Sequence, residues 1–359
     1  MPEAPTWGGG TSGGVLQPSA TEPAVVALLT AKNRAEKLKS SKENSIAIGK
    51  LICYDSNQAH FCVESAAPIL SFSHVRAITT WREADGNCPM HGDDLRAAVK
   101  GDVVAGLIPR VVSMNYGTTG VCATEDFEGI AKVCQDYSLW LNLDAAYAGA
   151  AGVYPEMRGP LLPAFKRADS VFINGSKWFS LMVSAFFFFF RERKHIVASL
   201  NASGIYLANK YMEANEVAGF KDYLLGMGRS FRALRVYTTL RFMGLDGIQA
   251  TIRCHGALAQ FLRDLMAARQ GNIVEFPVKP KFGLVCFRIA ERDEANKREH
   301  ALLDVAEEER RVMGVQYELD GRVMVRVALA YPALTEKDME DLADYFHLKA
   351  KGVITKTPL

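Results

Sequence analysis

The chain has 359 residues, 49% of them apolar and 23% charged, with a formal net charge of +2. That length suits about two domains at ~150 residues each, with ample core, and the near-balanced charge, without a Lys/Arg stripe, argues against a nucleic-acid partner. The seven cysteines are scattered, odd in number and without a C-x-x-C pair, which argues against a disulfide framework or a structural zinc site and suits reduced thiols in the cytosol.

Residues 1–18 form a Gly/Pro-rich opening stretch with no apolar h-region of a secretion signal. Within it, Gly8-x-Gly10-x-x-Gly13 and Gly10-x-Ser12-x-Gly14 match a dinucleotide fingerprint and a nucleophile elbow. Both motifs need a strand immediately before them, and Met1–Trp7, with two prolines, does not read as one. A helix is predicted from about Glu22 to Lys39. Strands are predicted at Leu51–Tyr54, Val75–Thr79, Gly106–Met114, Leu139–Leu143, Ser170–Ile173 and Met182–Phe190, with helical patterns at Ala59–Leu70, Asp93–Lys100 and Glu125–Tyr137 between them. Short apolar strands alternating with helices predict an α/β fold with a mostly parallel sheet covered on both faces. The greasiest run, Trp178–Phe190, is shorter than the ~20 residues of a membrane span and reads as a buried strand.

The pattern changes after about Leu234. A helix over Gly247–Ala268, strands near Gly283–Ile289 and Val323–Leu329, and a final helix over Glu336–Tyr345 capped by Thr335 predict a smaller α+β domain. The division expected is therefore a large domain over 1–234 and a small one over 235–359. The charged segment Glu291–Arg311 is predicted to be a solvated helix or loop.

Several constellations carry chemistry. Ser19 and Glu22 have the spacing of a capping box, and the free N–H groups of a helix start also suit a phosphate. Asp144 follows the apolar strand Leu139–Leu143, at the strand end where open α/β sheets bind ligands. It is either a turn-forming or helix-capping residue or a buried carboxylate that needs a cation, such as a protonated pyridine nitrogen. Lys177 lies between two apolar strands. There it either snorkels to the surface or is partly desolvated, which lowers an amine's pKa and makes it a nucleophile toward carbonyl carbon. His60 is expected early in a helix, and Tyr206 in a polar loop; each has an ordinary structural reading as well.

These pieces occur in one order: Ser19-Ala20-Thr21-Glu22, Gln58-Ala59-His60, Gly117-Thr118-Thr119, Asp144-Ala145-Ala146-Tyr147-Ala148-Gly149, Asn174-x-x-Lys177-Trp178 and Gly228-Arg229-x-Phe231-Arg232. The ordered set resembles the group II pyridoxal-phosphate decarboxylases, which include aromatic L-amino-acid and histidine decarboxylases, from about Gly8 to Tyr345. The resemblance implies the aspartate-aminotransferase-type fold (fold type I) and the cofactor pyridoxal 5′-phosphate (PLP). It also implies a cytoplasmic homodimer, with no metal and no membrane partner, that converts an L-amino acid to its amine and CO2. By residue, it implies that Lys177 carries the cofactor, Asp144 pairs with the ring nitrogen, His60 stacks on the ring and Ala146 lies under its other face. Ser19, Ala20, Thr21 and Asn174 would hold the phosphate, and Tyr206 would deliver a proton to the substrate's α-carbon. Relatives that make aldehydes alter the His or the Tyr; both are present here.

The departures are specific. About the first quarter of the family's length, which in relatives wraps the partner and lines the substrate pocket, has no counterpart in this sequence. This leaves a weak or inactive dimer partner as one alternative, with an aldehyde synthase or aminotransferase as another. Gly175 replaces a usual proline and is expected to loosen the turn before Lys177. Asn115 stands where relatives carry Thr, Leu224 and Gly226 replace a usual Gln and Pro, and the run Phe186–Phe190 is unusual. Ser176 resembles histidine-acting members, whereas Gly228 resembles aromatic-acting ones; the expected substrate leans aromatic.

Overall fold

In a computed structural model, residues 11–36, 49–181, 184–200, 219–270, 273–291, 296–310 and 314–356 are described. Internal contacts divide the chain into one unit of 1–81, 89–117 and 124–242 and a second of 82–88, 118–123 and 243–359. Among the described residues, no helix is long and apolar enough to cross a membrane.

The first unit is built on seven strands: β1 (Gly13–Gln17), β2 (Leu51–Ser56), β3 (His74–Ile78), β4 (Ile108–Asn115), β5 (Trp140–Asp144), β6 (Ser170–Asn174) and β7 (Phe186–Phe190). Their order is β1-β7-β6-β5-β4-β2-β3. Strands β3, β2, β4, β5 and β6 run parallel, and β7 is antiparallel to both β6 and β1. Strands β2, β5 and β6 are buried at every position, as expected for parallel strands covered on both faces. Helices at Thr21–Glu36, Cys62–Ile69 and Arg193–Leu200 share one core with the sheet, through Val26, Leu28, Val63 and Ile196 against Cys53, Val111, Phe172 and Phe188.

The opening stretch holds a strand that the sequence did not suggest, while Met1–Trp7, where no strand was expected, lies outside the described residues. Gly13–Gln17 pairs residue for residue with Phe190–Phe186. The glycines explain both this pairing and the phenylalanine run. A Cβ on Gly13 would stand 2.4 Å from the Phe190 ring, and one on Gly14 would stand 2.8 Å from Phe189. Phe186, Phe188 and Phe190 point into the core, while Phe187 and Phe189 stack on the other face at 6.2 Å. Replacing the fully buried Phe188 with alanine is expected to lower stability by about 3–5 kcal/mol, through lost transfer energy and the cavity left behind. The midpoint of urea unfolding reads this directly.

The second unit carries an antiparallel sheet in the order β10 (Val315–Leu319), β11 (Arg322–Ala328), β9 (Leu284–Ile289) and β8 (Val274–Glu275). Helices at Lys297–Glu308 and Glu336–Lys356 cover it through Leu302, Met339, Ala343 and Phe346. The final helix runs eleven residues beyond the predicted Tyr345. The charged segment forms a helix over Lys297–Glu308, but Arg298 and Glu299 are buried in it and not solvated. The helix predicted from Gly247 begins earlier, within a helical run over Arg232–Gln270 that is interrupted at Gly244, where φ is 65°.

Candidate active site

Two adjacent parallel strands end on polar residues, Asp144 on β5 and Asn174 on β6. Backbone bonds tie the two ends together: Ala145 N donates to Phe172 O at 3.1 Å, and Asn174 N donates to Ala146 O at 3.0 Å. The Asp144 carboxylate turns back to accept from Ala146 N at 2.9 Å. Ala146 is itself buried.

Lys177 is placed by a single helical turn, Gly175–Trp178. Asn174 caps that turn, its Oδ1 accepting from Ser176 N at 2.9 Å and from Ser176 Oγ at 2.6 Å. Trp178 is buried and stacks on Tyr147 at 5.5 Å, which anchors the far side of the turn. The expected loosening at Gly175 is corrected. Gly175 is buried, its N–H donates to Ala185 O at 2.8 Å, and a Cβ there would stand 2.5 Å from the Leu181 side chain. No larger residue fits without moving Leu181 or Phe187. The Lys177 side chain is half-buried.

His60 lies in the turn before the helix Cys62–Ile69, not inside it as the sequence suggested. Its Nδ1 accepts from Cys62 N at 3.2 Å, and its ring lies 4.2 Å from that of Phe61. Burial and the nearby Lys177 charge lower its pKa, so the imidazole is neutral at neutral pH. Burial raises the pKa of Asp144, while the Lys177 charge and the Ala146 N–H pull it down. Lys177 therefore lies within electrostatic reach of both His60 and Asp144. The Cys62 thiol, 4.0 Å from Asp144 Oδ2, is held protonated by burial.

Ser19, Ala20 and Thr21 join β1 to the helix Thr21–Glu36. That helix starts one residue later than a Ser19–Glu22 capping box requires, and Ser19 is exposed. Gln17, at the end of β1, is fully buried with neither amide atom hydrogen-bonded. Tyr206 lies outside the described residues.

Two further residues beside Asp144 were not singled out from the sequence. Asp55 on β2 and Glu125 before the helix Phe127–Asp136 are both buried, and both bond to Asn115. Neither has a motif around it; the one signal was the departure at Asn115.

The residues fit a protonated pyridine bearing an aldehyde and a phosphate. A buried carboxylate such as Asp144, with no direct ion pair among the described residues, calls for a cation. Beside it stand a primary amine and a neutral ring. Gln17, and Gln58 two positions before His60, keep buried polar atoms unbonded.

Comparison with known proteins points the same way. Phenylacetaldehyde synthase of Arabidopsis thaliana is 31% identical over 92% of this chain and 67% of its own length. Histidine decarboxylase of Drosophila melanogaster is 35% identical over 80% of this chain and 33% of its own length. The crystal structure of Oryza sativa TDC with PLP and tryptamine superposes with a TM-score of 0.88 at 27% identity, covering 96% of this chain and 71% of that one. The chain spans 54–67% of the length of several curated relatives that it matches. Residues 1–290 match the family model for the pyridoxal-dependent decarboxylase conserved domain. With the match covering most of the sequence, and with an α/β fold shared with a PLP-bound relative, this chain belongs to the pyridoxal-dependent decarboxylase family.

Proposed function

We propose that the chain is a PLP-dependent carboxy-lyase that converts an aromatic L-amino acid to its amine and CO2, with histidine as the next substrate in line. The observation that carries this reading is the buried Asp144 within the electrostatic field of Lys177, at the ends of β5 and β6.

The roles follow from chemistry. Lys177 Nζ would be the amine that holds the cofactor by its aldehyde. When bound, the pyridoxal ring supplies an electron sink for the pair left on the α-carbon as CO2 departs. Asp144 would hold a proton on the ring nitrogen and so keep that sink positive. His60, its pKa lowered by burial and by Lys177, would contact the ring without adding competing charge, and the buried Ala146 would leave room for it. Ser19, Ala20 and Thr21, at the start of a 16-residue helix, would hold the phosphate with Asn174. Because Asn174 Oδ1 is engaged by Ser176, the Asn174 amide nitrogen is the group free for that contact. Tyr206 donates the proton that the α-carbon receives.

Replacing Tyr206 with phenylalanine is expected to cut amine formation by ~10²-fold, the scale of a lost general acid. Incubation with PLP and a panel of L-amino acids, scored for amine, aldehyde, ammonia and CO2, tests the function itself. Amine with equal CO2 supports it. Aldehyde with ammonia favours a second reading, an aldehyde synthase, which the likeness to phenylacetaldehyde synthase motivates. No product from any substrate favours an inactive family member.

The same reading makes the chain a homodimer. Phe231, Leu234, Tyr237 and Leu240 recur every three residues and are 48–74% exposed, an apolar stripe that association would cover. A cytosolic location agrees with seven free cysteines.

A further inference from the structure

Three buried carboxylates crowd one end of the parallel sheet: Asp55 on β2, Asp144 on β5 and Glu125 in the loop before the helix Phe127–Asp136. Asn115, the last residue of β4, lies in register with Asp144. Its amide nitrogen donates to Asp55 Oδ1 at 2.9 Å and to Glu125 Oε1 at 3.1 Å. Its backbone N–H donates to Glu125 Oε2 at 2.7 Å. Asp55 Oδ1 accepts a further bond from Ser56 N at 2.9 Å, and the Ser56 side chain bonds to Glu125. One carboxamide thus holds two acids side by side, and among the described residues no arginine or lysine is bonded to either.

We propose that Asp55, Asn115 and Glu125 form a proton-sharing unit that keeps one proton at neutral pH, so that a single fixed negative charge stands behind Asp144. Two carboxylates this close and this buried cannot both ionise without a cation. Burial and the neighbouring Glu125 push Asp55 well above the usual carboxylate range. Burial pushes Glu125 up to about 8, against the pull of its hydrogen bonds. The other titratable groups facing the unit do not neutralise it. The Cys53 and Cys62 thiols stay protonated, His60 is neutral, and the Lys177 charge acts on Asp144.

The role of this unit rests on the reading of Asp144 as the partner of the ring nitrogen. One negative charge behind Asp144 raises the proton affinity of any cation paired with it. A second would drive Asp144 itself to take up a proton and would abolish the pair. Asp55 and Glu125 are therefore positioning residues, acting through Asp144.

The test uses the full chain without cofactor, so its outcome is independent of whether Lys177 carries PLP. The infrared spectrum at neutral pH should show a carboxylic-acid C=O band that persists in Asp144→Asn and is lost in the double variant Asp55→Asn/Glu125→Gln. A wild-type spectrum without that band overturns the proposal, as does a band lost in Asp144→Asn and kept in the double variant. If the double variant does not fold, the pH dependence of unfolding of Glu125→Gln alone decides. A carboxyl whose pKa is raised by folding binds more protons in the native state, so native stability falls as pH rises from the ordinary 4.5 toward about 8. Glu125→Gln should flatten that fall, and superimposable wild-type and variant profiles contradict the proposal.

Discussion

Replacing Lys177 with alanine is expected to lower kcat/KM by ~10³-fold or more, the scale on which loss of an activated nucleophile acts. The visible absorption that PLP acquires when bound through an amine should vanish with it. The fold should survive. Lys177 is half-buried on a four-residue turn held by Asn174, Trp178 and Gly175, and none of those contacts uses its side chain. Unchanged far-UV circular dichroism together with lost absorption therefore separates a chemical role from a structural one. An alanine variant that retains both the absorption and the activity would remove Lys177 from the site.

Asp144→Asn should produce the second-largest effect, a ~10²–10³-fold fall in kcat, comparable to removing one preorganised electrostatic group. Asparagine preserves the shape and the bond from Ala146 N but has no charge with which to keep a ring nitrogen protonated. Stability should move the other way. Asp144 is buried and its pKa is raised in the folded chain. The native state consequently binds more protons than the unfolded state at pH values above the ordinary aspartate pKa, and stability falls with rising pH through that window. The asparagine variant lacks this penalty, so the cofactor-free chain should unfold at the same or higher denaturant concentration at neutral pH. Lost activity with undiminished stability is the mark of a residue kept for chemistry at a cost to the fold. Destabilisation together with lost activity would make Asp144 a structural residue.

Much of this was legible in the sequence because parallel strands announce themselves. Leu51–Tyr54, Leu139–Leu143 and Ser170–Ile173 are short, apolar and spaced by helices, and the strands found there differ by two residues or fewer at either end. Asp144 and Lys177 could be picked out because each breaks an apolar run. The strand Gly13–Gln17 could not, since glycine has poor strand propensity and what makes it a strand lies far away in sequence. Only the rings of Phe189 and Phe190, packed where Cβ atoms would otherwise be, reveal why glycine is needed. The looseness expected at Gly175 fails for the same reason. Composition speaks for freedom, whereas Leu181 and Phe187 leave no room for it. Asp55 and Glu125 were invisible singly, because their meaning depends on β2 lying next to β4 and on one asparagine reaching both.

Everything proposed for the site turns on Lys177 as the amine that takes the cofactor. Borohydride reduction of the full chain with PLP, followed by digestion and mass mapping, tests it most directly. One pyridoxyl group is expected on the peptide containing Lys177 and none in Lys177→Ala. A label on another lysine, or a chain that binds PLP without any amine becoming labelled, would contradict it.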